Sequence, residues 1–207
     1  MSTAAGANAT SADFAGCQAT SQSAFTSASV KFTVPAVPCG LTSDGISNLF
    51  GSFVDDLFGS GESAILIHCS TSNPGQLLYY DFIGKATTSF VPGPGDLVKT
   101  TVSMSRTANV ATLSDLTQGH SESNSLAASP DPAVAYEGVS SALCVLRCGV
   151  SEVINFAKVR MFDAKLNGVT PRTAGATAVN MQKFPLEVVS SALNTTGNAW
   201  TGVWKAL

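Results

Sequence analysis

Ala64-Ile65-Leu66-Ile67-His68-Cys69 is the densest β-branched, apolar run in the chain, entered through Phe58-Gly59-Ser60-Gly61 and followed by the turn signal Asn73-Pro74-Gly75. A run this short between turn residues reads as a strand buried in the middle of a sheet. Side chains alternate along a strand, so Ile65 and Ile67 share one face while Leu66 and His68 take the other. A chain whose strongest apolar signal is so brief has to build its core by stacking many such strands.

The remaining segments agree. Ala24 to Pro35 alternates, with Val30, Phe32 and Val34 on one face, and Pro35 and Pro38 end it. Leu49 to Phe58 fits a short helix and a bent strand equally well. Leu77 to Ile83 is expected to run antiparallel to the opening strand, through the Pro74-Gly75 turn. Pro92-Gly93-Pro94-Gly95-Asp96 is a rigid turn before the strand Leu97 to Met104, and Ala108 to Leu116 alternates in the same way. Residues 121–132 read as a polar loop. Ala133 to Val139, Val153 to Leu166, Ala176 to Val189 and Ala199 to Leu207 supply further strands, broken at Asn167-Gly168 and Pro185. Short strands, frequent turns and no amphipathic helix indicate an all-β fold: a two-sheet antiparallel β-sandwich of jelly-roll, concanavalin-like type. Residues 1–12 form a polar N-terminal arm, and residues 13–207 a single domain.

Composition narrows the function classes. Charged residues make up 12% of the 207 positions, well under the usual quarter, so Ser, Thr, Gly, Asn and Ala must cover much of the surface. That suits a turn-rich β-protein, or one that hides surface in an assembly. The net charge is −3 and the Lys and Arg residues stand singly, without a basic run, so no nucleic-acid partner is expected. No segment has the length of a membrane-spanning helix, and no membrane partner is expected. The start, MSTAAGANATSADF, lacks the charged and apolar regions of a secretory signal, so a cytoplasmic location is expected, with free thiols at Cys17, Cys39, Cys69, Cys144 and Cys148. A secreted location requires a trimmed mature form.

Read in order, several segments resemble the glutamic peptidases (eqolisins), acid endopeptidases with a two-sheet jelly-roll fold. Asp13-Phe14-Ala15-Gly16 looks like that family's Asn-Trp-Ala/Ser-Gly motif, and Phe32-Thr33-Val34-Pro35 its Phe/Trp-Thr-Val-Pro strand, with Cys39 following. Phe53 to Ile67 is similar to the segment leading into its catalytic strand. Tyr79-Tyr80-Asp81-Phe82 resembles its aromatic strand, and Pro94-Gly95-Asp96 its Pro-Gly-Asp turn. Leu113 to Gly119 and Phe156 to Gly168 look like its later hairpin and final strand.

The resemblance implies a glutamate acting as general base and acid on a water, and a glutamine amide holding that water and the developing oxyanion. The glutamine's place falls on Ile67, which has neither donor nor acceptor. The glutamate's place falls on Tyr136 or on Glu137, depending on a one-residue slip that would reverse the facing of the side chain. The family's aromatic binding positions correspond to Phe14 and Phe53, with Ile67, Tyr80, Phe82 and Tyr136 completing the expected binding face.

Other constellations point to bland roles. His68 and Cys69 are adjacent and face opposite ways, and the only other histidine is His120, so neither a metal site nor a cofactor is expected. Cys144 and Cys148 lie four apart, too far for a bridge in an extended strand. Trp200 and Trp204 fit core packing, with an interface patch as the alternative. The reading is therefore a non-catalytic, eqolisin-like jelly roll with a protein partner or in self-assembly, for example as a coat or decoration protein within a virus particle. An acid endopeptidase using Glu137 and a carbohydrate-binding sandwich are the alternatives.

Overall fold

In the computed structural model the described residues are 9–11, 14–20, 25–39, 47–56, 59–70, 76–82, 90–105, 107–126, 134–141, 155–183, 186–190 and 192–206. They build fourteen strands: β1 (Ala9–Ser11), β2 (Phe14–Thr20), β3 (Ser27–Thr33), β4 (Ser47–Asp56), β5 (Gly59–Ser70), β6 (Gln76–Phe82) and β7 (Leu97–Met104), then β8 (Asn109–Asp115), β9 (His120–Leu126), β10 (Val134–Ser141), β11 (Lys158–Leu166), β12 (Thr177–Lys183), β13 (Leu186–Ser190) and β14 (Trp200–Ala206). Hydrogen bonding connects them in the order β6-β5-β4-β10-β2-β12-β13-β14-β11-β3-β7-β8-β9, with β1 beside β12. The path folds over on itself, so β4 lies across β3 and β7, β5 across β7 and β8, and β2 across β13 and β14. This is the expected all-β antiparallel sandwich, with one parallel pairing, that of β1 with β12.

Alternation explains which residues fill the space between the layers. Val30 and Phe32 of β3, Phe50 of β4, Ile65 and Ile67 of β5, Val98 of β7, Leu113 of β8 and Met161 of β11 form one buried cluster. Phe50 meets Phe156 edge-on, with ring centroids 5.3 Å apart, the arrangement the ring quadrupoles favour. Two buried hydroxyls cross the same space: Ser52 bonds the Thr100 hydroxyl at 2.9 Å, and Ser63 donates to the Thr112 carbonyl at 2.6 Å. Trp200 is buried in this core and Trp204 packs against it, as the core-packing reading expected.

Four expectations are corrected or sharpened. The described part of Leu49 to Phe58 is not helical: β4 runs as a strand through Asp56. The stretch read as a polar loop opens with an edge strand, β9, whose serines carry no apolar alternation because hydroxyl pairs take its place: Thr112 with Ser123 at 2.7 Å and Ser114 with Ser121 at 2.8 Å. Residues 9–11 of the expected polar arm are not a free tail, since Ala9, Thr10 and Ser11 pair with Val179, Asn180 and Met181. Finally, Cys39 and Cys69 are not free thiols but a disulfide with Cα atoms 5.5 Å apart. Pro35 and Pro38 steer the chain after β3 back over the end of β5, which brings the two sulfurs together. Cys17 is buried in the core. Cys144 and Cys148 lie outside the described residues.

The Pro-Gly-Asp turn and the β8–β9 hairpin are tied to each other. The Asp96 carboxylate accepts from the Gly93 N–H and from the Gln118 side-chain amide, both at 2.8 Å. The Asp115 carboxylate holds the hairpin end by accepting the N–H groups of Thr117 and Gln118 at 2.9 Å. The residues that carried the resemblance here are structural clamps, because a carboxylate accepting two N–H donors fixes a turn.

Candidate functional site

The sheet made by β5, β4, β10 and β2 has one face turned to the other layer and one turned away. On the face turned away, a single rung across the strands reads Ala64, Gly51, Gly138, Gly16. The glycines are required by close approach. A Cβ on Gly51 would fall against the Ser63 carbonyl and Ala64, and one on Gly138 against the Ala15 carbonyl, with the Phe14 ring 3.1 Å away. The bare rung lets Phe14 lie across Gly138, an aromatic ring covering the glycine backbone. Phe14 and Phe53 are thus only 7% and 2% exposed, although neither belongs to the core between the layers. Gln18, Leu66 and His68 are half-buried on this face.

Ile67 does not join them. It is fully buried in the core between the layers, next to Ile65 on the same side of β5, so the expectation that it helps form a binding surface is corrected. The cause is the unbroken alternation of β5, which sends Ser63, Ile65, Ile67 and Cys69 inward and leaves Leu66 and His68 outward.

The ladder also fixes the place of the two candidates for the glutamate. Glu137 pairs with Ser52 on one side and Cys17 on the other, while Tyr136 pairs with Phe53 and Gln18. Ile67 pairs with Asn48 and Tyr79. Asn48 and Ser52 lie four residues apart on β4, about 13 Å along the strand direction. Ile67 and Glu137 are therefore not opposite one another, and β4 runs between them. Tyr80 pairs with Leu66 and Phe82 with Ala64 on β6. The side chains of Tyr80, Phe82, Tyr136 and Glu137 lie outside the described residues. Among the described residues no three His, Cys, Asp or Glu side chains come close enough to hold a metal ion.

A second concavity was not foreseen. A cleft of about 580 Å³ opens where β3 leaves its sheet, beside the Pro94-Gly95 turn and the start of β11. Val34 and Val159 belong to its lining, with Pro35 and Phe162, and the exposed cations Lys158 and Arg160 stand at its rim. The Arg160 guanidinium sits 5.8 Å from the centre of the Phe162 ring. The start of β11 is held in an unusual backbone state: Ala157 has φ 56°, and the Lys158 N–H reaches the Phe156 carbonyl at 2.6 Å. Asn155 accepts the Ala157 N–H at 2.9 Å, and the Ala157 carbonyl accepts from Trp204 at 3.0 Å. The signal in the sequence was the alternation Lys158-Val159-Arg160, two cations on one side of a strand.

No protein-family model matches the sequence, and no curated protein matches it. Solved structures do. Scytalido-glutamic peptidase, solved with a transition-state analogue inhibitor, superposes with a TM-score of 0.69 at 15% identity, over 94% of this chain and 98% of that one. SCP-B, a member of the eqolisin family of peptidases solved with the tripeptide Ala-Ile-His, gives a TM-score of 0.66 at 15% identity with the same coverage. The chain has the eqolisin fold, and at this identity the likeness speaks to fold alone.

Proposed function

We propose that this chain keeps the glutamic-peptidase scaffold without its chemistry and serves as a binding or structural protein in a larger assembly, such as the coat or surface decoration of a virus-like particle. The observation that carries the reading is the face that β5 turns away from the core, which offers Ala64, Leu66 and His68 and no glutamine. The resemblance asks for an amide aimed at developing charge on that strand, and Ile67, at the position the motif likeness assigns to it, is packed in the core instead. In other hydrolases, loss of one such donor costs about 2.7–4 kcal/mol of transition-state stabilisation. The partner is a protein surface: SCP-B, with the same fold, was solved with a tripeptide, and the low charge of this chain suits covered surface. The Cys39–Cys69 disulfide favours an oxidising setting over the reducing cytoplasm, since cytosolic thiols are kept reduced.

The experiment is an incubation of the pure protein with denatured casein across pH 2–7, beside a Glu137→Ala variant. The expected result is no acid-soluble peptide from either. Cleavage by the wild type that disappears in the variant would establish the acid endopeptidase instead.

A further inference from the structure

β3 and β11 part beside the Pro94-Gly95 turn. Their pairing runs from Ala28 with Leu166 to Phe32 with Met161 and stops there, although β11 extends outward to Lys158. Lys158, Val159 and Arg160 pair with Val203, Gly202 and Thr201 of β14 on one side and, among the described residues, with no strand on the other. The end of β3 follows β7 instead: the Val34 N–H donates to the Asp96 carbonyl at 2.9 Å, and the Val34 carbonyl accepts from the Gly95 N–H at 3.0 Å. Proline supplies the physical reason. The interrupted register would set Pro35 opposite Lys158, and a proline has no N–H to give to a ladder. The cleft of about 580 Å³ is this split in the sheet, and its size falls among the roughly 300–1,000 Å³ of ligand sites.

One face of the split is cationic. Lys158 and Arg160 are both exposed and, being two apart, share that face with Phe162, whose ring centre is 5.8 Å from the guanidinium. Among the described residues no carboxylate comes within ion-pair distance of either cation. The carboxylates beside the lining in the chain are engaged elsewhere. Asp163 holds Lys31 at 2.8 Å, and Asp96 accepts from the Gly93 N–H and the Gln118 amide. Hydrogen bonding in an antiparallel sheet alternates sides, and the Ala157 carbonyl accepts from Trp204 of β14, so the backbone groups of Lys158 and Arg160 turn to the split. The Lys158 N–H bends back onto the Phe156 carbonyl at 2.6 Å, so the Lys158 carbonyl and the Arg160 N–H are what an incoming strand meets.

From these observations we infer that the split receives an extended segment of a protein partner as an added strand, one in which two acidic residues flank an apolar one. The inference rests on the protein-binding reading above and names the segment that is bound. Side chains two apart on an extended segment repeat every ~6.7 Å, the same interval as Lys158 and Arg160, so both acids meet a cation in one register. The residue between them faces the other way, towards the buried Val34 and Val159. Its neighbours' backbones supply an acceptor for the Arg160 N–H and a donor for the Lys158 carbonyl. The ion pairs at the exposed rim weaken as salt is added.

The test is a nuclear magnetic resonance titration of the isotope-labelled full chain with the peptide acetyl-Ser-Glu-Val-Glu-Ser-amide. Saturable shifts are expected at Thr33, Gly95 and Lys158 to Phe162, with slowed hydrogen exchange of the Arg160 amide and weaker binding at high salt. A Lys158→Ser/Arg160→Ser variant is expected to bind about tenfold more weakly, as is the wild type towards the same peptide with glutamines for glutamates. The second comparison needs no altered protein. Equal binding of the two peptides overturns the charge match. Inorganic phosphate that gives the same shifts, with no slowing at Arg160 by the peptide, makes the cleft an anion site and overturns the added strand. No saturable shift, or shifts confined to other strands, overturns the site, while an uncleaved casein keeps the non-catalytic reading. Cleaved casein overturns that reading and not this site, because neither β3 nor β11 pairs with β10.

Discussion

Gly138 shows how much one missing side chain can settle. Its ideal Cβ would collide with the Ala15 carbonyl and press on the Phe14 ring, so β10 can lie this close to β2 only with hydrogen at that position. A Gly138→Ala variant is expected to lose about 1–3 kcal/mol of stability, the usual cost of overfilling a packed site. Urea denaturation followed by tryptophan fluorescence measures it. An unchanged midpoint would mean that the two strands are not in this contact. Gly138 was visible in the sequence only as a neighbour of Glu137. Nothing in Tyr136-Glu137-Gly138 says that Gly16 and Gly51 share its rung, because a rung is made by three strands far apart in the chain. Ile67 was misplaced for a related reason. A motif likeness aligns letters, whereas facing is decided by the unbroken alternation of β5 and by what Phe50 and Ile65 already fill.

At the scale of elements, strands with strong alternation were legible. β3, β7, β8 and β14 lie within a residue or a few of their expected limits, since each has one face in the core and one in solvent. β9 was not legible, because an edge strand can be held by serine and threonine hydroxyls and backbone pairing with no apolar stripe. β11 begins later than expected, at Lys158, because Ala157 turns the chain with a positive φ. The disulfide also escaped notice, since its cysteines are separated by 30 residues and only the folded path after Pro35 brings them together. Closing a loop of that length restricts the unfolded chain and is worth about 3–4 kcal/mol on the loop-entropy model. A Cys39→Ala/Cys69→Ala variant is expected to show that loss as a lowered denaturant midpoint. An identical midpoint in the bridged protein and the variant would contradict a stabilising link between β5 and the segment after β3.

At the scale of the whole molecule, the order of weak motifs carried the fold correctly where no single motif could. Asp96 and Gln118 clamp two turns together, and the Phe32-Thr33-Val34-Pro35 strand fills the core and then turns out of it. Such residues keep a jelly roll whatever its faces do, which is why the likeness in fold extends over almost the whole chain. The most direct test of a scaffold without its chemistry is a calorimetric titration at acid pH with a transition-state analogue of peptide hydrolysis, compared with a plain peptide of the same sequence. Working hydrolases bind such analogues about 100-fold or more tighter than substrate. A chain with no amide on the open face of β5 is expected to bind both alike or neither. Tight, selective binding of the analogue that Glu137→Ala abolishes would contradict it.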